Sequence, residues 1–145
     1  PWRYPWIWGQ PDEQAHYRDI FRRTNADPLL RGAVHYDGFG PDVASWLRKI
    51  GFVLSTSDDE SFHRAPAEGM ASRALPLLFP WPGADRIYES DWVYEDEDAM
   101  AEAILSQLER GDFAERAEQV RTYVEQHYSV EKVCSDWADL VLGDE

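Results

Sequence analysis

The chain has 145 residues, 43% hydrophobic and 14% aromatic, which is the material of one folded domain rather than of a disordered segment. Its 28 acidic and 14 basic residues leave a net charge of −14, which argues against nucleic acid and anionic membrane surfaces as partners. No apolar run approaches the roughly 18 residues of a membrane-spanning helix, and nothing at the start reads as a signal peptide.

The charge is uneven. Residues 1–50 carry seven basic and six acidic groups, whereas residues 51–145 carry seven and 22. A solvated acidic surface is the simplest account. The one cysteine, Cys134, cannot form an intrachain disulfide or a cysteine-rich zinc site. It stands in an apolar helical stripe with Val133 and Trp137, so burial as a small hydrophobe is expected. A reducing, cytoplasmic compartment fits that usage.

In chain order, residues 4–8 alternate aromatic and aliphatic side chains and read as a strand, with Trp6 and Trp8 on one face and Gly9 at its end. Pro11-Asp12 opens a helix with Tyr17, Ile20, Phe21 and Thr24 along one side. Residues 33–36 read as a second strand, ended by Asp37-Gly38-Phe39-Gly40, and Pro41 suits the first position of a helix through Val43, Trp46, Leu47 and Ile50. Residues 52–54 form a third strand, followed by a polar turn and a helix of about ten residues that runs to Arg73. Pro66 confines the start of that helix to the segment between about Phe62 and Ala65. Residues 75–79 form a fourth strand. A short helix near Asp85 and a fifth short strand at 92–94 follow.

The remainder is helical. One stripe runs through Met100, Ile104 and Leu108, a second through Phe113, Ala117, Val120 and Val124, and a last helix capped by Ser129 carries Val133, Trp137 and Val141. The acidic run Glu95-Asp96-Glu97-Asp98 suits a helix N-terminus. Alternating strands and helices followed by helices predict an α/β domain: a Rossmann-like, mostly parallel sheet of about five strands with a helical carboxyl-terminal segment.

Ligands of such sheets bind beyond the carboxyl ends of the strands. The most polar of those turns is 55–61, and it runs directly into a helix N-terminus, a natural anion site. Glu60 stands at its rim and Glu68 within the helix. Eight helical residues rise about 12 Å, so the two carboxylates cannot act together on one bond, yet they can hold two ends of an elongated ligand. Spacing alone favours the plainer account, in which Glu60 is a capping acid and Glu68 an exposed helix acid. Trp81, in the turn Pro80-Trp81-Pro82-Gly83, is placed to meet a ligand or to fill the core. His16, His35, His63 and His127 are scattered, so no metal site is expected.

The segment from Phe52 through Ser55-Thr56-Ser57, Glu60-Ser61-Phe62-His63 and Glu68-Gly69-Met70-Ala71 to Leu75-Pro76-Leu77 resembles the nucleotide-sugar site of the "group 1" retaining glycosyltransferases of the GT-B fold. Their signature is a Glu, seven residues and a second Glu, here Glu60 and Glu68. Pro82-Gly83-Ala84-Asp85-Arg86-Ile87 and His35-Tyr36-Asp37-Gly38 resemble further family segments, in the same order. The resemblance implies that Glu60 meets donor-sugar hydroxyls at the reacting centre and that Glu68 holds the ribose. It also implies that the amides of Ser61, Phe62 and His63 face sugar and diphosphate, and that Gly38, Phe39, Ser55 and Ser57 border the base.

The chain departs from the family at Ser61-Phe62-His63, where Gly-Phe-Gly is usual, and at Arg73-Ala74-Leu75, where a Gly precedes the proline. The family's diphosphate-gripping Arg and Lys, and its acceptor domain, lie upstream of the counterpart of Pro1. The expectation is therefore the donor half of a longer enzyme, inactive alone and taking a nucleoside-diphosphate sugar as substrate without a metal cofactor. The alternative is a non-catalytic α/β domain that binds a nucleotide or a protein.

Overall fold

The computed structural model describes residues 9–38 and 40–143. The chain divides into two compact units, Pro1–Gly40 and Pro41–Glu145.

In the first unit, helix α1 spans Pro11–Ala26, with proline in its first turn, Asp12 and Glu13 at its positive end and Arg23 at its negative end. The Asp27 amide closes it on the Arg23 carbonyl at 2.9 Å. Phe21 and Tyr36 pack ring on ring at 4.9 Å, and the Thr24 and Tyr36 hydroxyls lie 3.2 Å apart. The expected strand at 33–36 does not form. Gly32 takes a left-handed turn (φ 84°), and the Ala33 and Val34 amides fold back onto the Leu30 carbonyl at 3.0 and 3.3 Å. Donors spent locally cannot serve a ladder. The expected strand at 4–8 lies outside the described residues.

The second unit opens with a short helix α2, Val43–Leu47. It is capped by Asp42, whose carboxylate accepts from the Ser45 amide at 2.9 Å. Strand β1, Phe52–Ser55, pairs in parallel with β2, Leu75–Leu78, in the register Phe52↔Leu75 to Ser55↔Leu78. Between them runs helix α3, Arg64–Ala71. This βαβ unit follows the predicted path, with the helix beginning inside the predicted window and ending two residues early. All four β2 side chains are buried, as a strand covered on both faces requires. Gly69 explains how closely α3 approaches the sheet: a Cβ there would stand 2.7 Å from Val53 Cγ1.

Beyond β2, Gly83 in a left-handed conformation (φ 97°) leads into helix α4, Ala84–Ile87, and a 3-10 turn over Ser90–Trp92. The expected fifth strand at 92–94 is reduced to one parallel bridge, Leu78↔Val93, with the Tyr94 amide on the Leu78 carbonyl at 2.8 Å. Among the described residues the sheet therefore has two strands, and the second unit is a mixed α/β structure that is mostly helical.

Helix α5, Glu97–Arg110, starts at Asp96, whose carboxylate takes the Ala99 amide at 2.8 Å, as the acidic run implies. Of its expected stripe Met100 is buried, but Leu108 is 64% exposed; Gln107 is the other buried residue. Helix α6, Phe113–Tyr128, buries Ala117, Val120 and Val124 against α3 and β2, as expected. Helix α7, Val130–Leu142, is capped by Ser129 and buries none of its residues. Trp137 and Val141 are exposed, and so is Cys134, contrary to the expected burial. An apolar stripe is a capacity for burial; a surface must also face it, and among the described residues none covers this one. No helix of the described residues is long and apolar enough to cross a membrane.

The core joins Met70 and Ala67 of α3, Leu75 and Leu78 of β2, Trp81, Ala84, Tyr88 and Trp92 of the segment after it, and the buried stripe of α6.

Candidate functional site

The carboxyl end of β1 delivers Ser55 into the interior, 3% exposed. The chain then turns through 56–63 and enters α3. This loop gathers four of the predicted side chains. The Ser57 amide donates to Ser55 Oγ at 3.4 Å, and Ser55 Oγ lies 2.9 Å from His63 Nδ1. The Ser57 hydroxyl donates to Glu60 Oε1 at 3.0 Å, and His63 Nε2 stands 3.7 Å from the same oxygen. Glu60 Oε2 has no partner among the described residues.

His63 occupies the N-cap of α3 with a left-handed backbone (φ 54°, ψ 75°) and makes no side-chain capping bond. Two contacts pin it. Its carbonyl accepts from the Tyr88 hydroxyl at 2.8 Å, and its ring meets the edge of Trp81 at 5.5 Å between centroids. Tyr88 is itself fixed from behind, because the hydroxyls of Tyr123 and Tyr128 both donate to the neighbouring Ile87 carbonyl. Burial, with Tyr128 nearby, pushes the Tyr88 phenol well above its ordinary range.

Phe62 points into the core, with its ring edge-on to Tyr128 at 4.8 Å. Its backbone, rather than its side chain, is what remains on the site. Among the described residues nothing accepts a hydrogen bond from the amides of Ser61, Phe62 or His63. Three free donors at a helix N-terminus favour an anion. Glu68 lies further along α3, half exposed, with Arg64 on it at 3.0 Å. An exposed pair of this kind contributes little to stability and leaves the carboxylate available.

Trp81 is core rather than platform at 3% exposure, and its indole Nε1 is a buried donor with no partner among the described residues. Gly38 belongs to the first unit, and Phe39 lies outside the described residues. A hollow of about 160 Å³ lined by Phe52, Leu75, Trp92, Tyr94, Gln107 and Arg116 draws on the amino-terminal residues of both strands, and none of the loop residues lines it. Among the described residues no three of His, Cys, Asp and Glu gather as metal ligands.

The sequence marks Ser55, Ser57, Glu60 and His63 each as a site candidate, with His63 named for its amide, but gives no sign of Tyr88 or of the contact between the Ser55 and His63 side chains. Tyr88 reaches the loop from 25 positions away, and no local pattern marks such a partner. No family model, curated protein or solved structure matches the chain.

Proposed function

We propose that this chain is the donor-binding part of a retaining glycosyltransferase that takes a nucleoside-diphosphate sugar. Its fuller fold on this reading is a Rossmann-like sheet extended beyond β1 and β2, working with an acceptor-binding domain. Glu60 receives hydroxyls of the donor sugar, Glu68 those of the ribose, and the amides of 61–63 the diphosphate. Catalysis is then a matter of position and of charge stabilisation on the leaving diphosphate.

The observation that carries the reading is backbone conformation. Among the described residues, two that are not glycine adopt a positive φ: His63 at 54° and Arg73 at 70°, one at each end of α3. They fall in the two segments where the resembled family has glycine. A positive φ is the conformation that glycine adopts freely, and a residue with a Cβ holds it at a cost of about 1–3 kcal/mol, which supports reading these two positions as glycine positions of such a site. The free amides and the two separated carboxylates support the same reading.

The test is thermal unfolding of the chain with UDP, GDP, ADP and their sugars, beside Glu68→Ala. One nucleotide at a hundred times its dissociation constant should add about 2.7 kcal/mol, and Glu68→Ala should abolish the gain. Equal stabilisation of Glu68→Ala would refute the assignment of Glu68. A non-catalytic binding domain is the second reading, favoured by the exposed apolar residues of α7. Sugar transfer by the chain alone at the rate of an intact enzyme would contradict the division of labour proposed here.

A further inference from the structure

The geometry points to His63 as the positioning residue for Glu60, a role that deepens the reading of this loop as a donor-sugar site. Ser55 Oγ takes the Ser57 amide at 3.4 Å and lies 2.9 Å from His63 Nδ1. With Nδ1 engaged on Ser55, the other ring nitrogen, Nε2, faces Glu60 Oε1 at 3.7 Å. The carboxylate is thus held through one oxygen by the Ser57 hydroxyl, with the imidazole at ion-pair distance from that same oxygen, while Oε2 has no partner among the described residues. A carboxylate oxygen held open at a loop rim is an acceptor for a hydroxyl donor, the chemistry of a sugar ring.

The backbone supports a side-chain purpose. His63 pays for a left-handed conformation that glycine adopts freely. Its side chain does not cap α3, yet it is only 16% exposed and touches Ser55, Glu60 and Trp81. What the side chain does is bridge the buried end of β1 to the carboxylate at the rim. The same three residues are not arranged for nucleophilic attack, because Ser55 is buried and its hydroxyl is engaged on both sides.

The experiment needs no ligand. Three-bond couplings in the full chain report the rotamer populations of Glu60, and thermal unfolding reports stability, in wild type, His63→Gly, His63→Asn and His63→Gln. Wild type should show one dominant Glu60 rotamer. His63→Gly should unfold at the same or a higher temperature, yet show Glu60 averaging among rotamers. His63→Asn, which tolerates the same backbone but is too short to bridge, should do likewise. His63→Gln, long enough to donate, should restore the single rotamer. An ordered Glu60 in both His63→Gly and His63→Asn would overturn the inference, as would loss of order that merely tracks loss of stability. In a separate arm, bare UDP, GDP and ADP should bind wild type and His63→Gly alike, while the extra affinity of the matching nucleotide sugar falls about tenfold in the variant. Failure of every nucleotide to bind wild type would count against the donor-site reading and leave the rotamer result standing by itself.

Discussion

Gly69→Ala tests the packing that seats α3 and, through it, the site. The added Cβ would lie 2.7, 2.8 and 3.1 Å from Cγ1, Cβ and Cγ2 of Val53. None of these atoms can swing aside. Val53 is β-branched and stiff at χ1, and its backbone is paired with Pro76 in the sheet. The helix must therefore lift from the strand. Overpacking of this kind costs about 1–3 kcal/mol, and the better helix propensity of alanine returns up to about 1 kcal/mol. Contacts as short as 2.7 and 2.8 Å place the overpacking in the upper part of that range, about 2–3 kcal/mol, so a net loss of about 1–2 kcal/mol remains, or a fall of about 2–8 °C in unfolding temperature for a chain of this size. Scanning calorimetry or circular dichroism reads it directly. Val53→Ala removes two of the three close atoms, so Gly69→Ala with Val53→Ala should recover part of the loss, and the double-mutant cycle should show favourable coupling. A single Gly69→Ala variant as stable as wild type or more so would refute the reasoning, because propensity would then act with no strand pressing against the helix.

Alkaline stability follows from the tyrosines. Burial, with Tyr128 nearby, raises the Tyr88 phenol, and burial with the Tyr128 hydrogen bond raises that of Tyr123. A phenol that holds its proton more tightly when folded contributes stability present in full below its unfolded value of 10.0 and lost as pH rises beyond it. Urea unfolding should therefore be insensitive to these groups up to about pH 9 and weaken steeply above pH 10, and a flat profile to pH 11 would contradict their burial. Cys134, exposed on α7, should react with a thiol reagent in native buffer about as fast as in denaturant. A thiol that reacts only after unfolding would mean that α7 is covered.

Much of this molecule is written locally. Pro11 with its acidic neighbours, the acidic run Glu95-Asp96-Glu97-Asp98 and Ser129 each mark a helix start that the structure bears out, because such signals act on amides within a few residues, whereas the helix expected to begin at Pro41 begins at Val43, after the cap Asp42. The βαβ path from Phe52 to Leu78 was legible for the same reason: an apolar strand, a polar turn, Pro66 and a second apolar strand each act over short range. The loop holding Ser55, Ser57, Glu60 and His63 could be located because that path places it at the carboxyl end of β1.

Tertiary structure decided the rest, and each case turns on a partner distant in sequence or on one that never arrives. Residues 33–36 have the composition of a strand, but the amides of the first two, Ala33 and Val34, close on Leu30 instead. Leu108, Trp137 and Val141 have helical spacing, yet their faces meet no surface among the described residues. Trp81 was balanced between ligand and core, and the packing of Tyr88 and His63 around it settled for the core. Sequence named Glu60 and His63 from their order along the chain. Which oxygen of Glu60 is held, and which nitrogen of His63 faces it, depended on a buried hydroxyl at the end of β1 and a phenol after α4, because a hydrogen bond reads position in space and not separation in sequence.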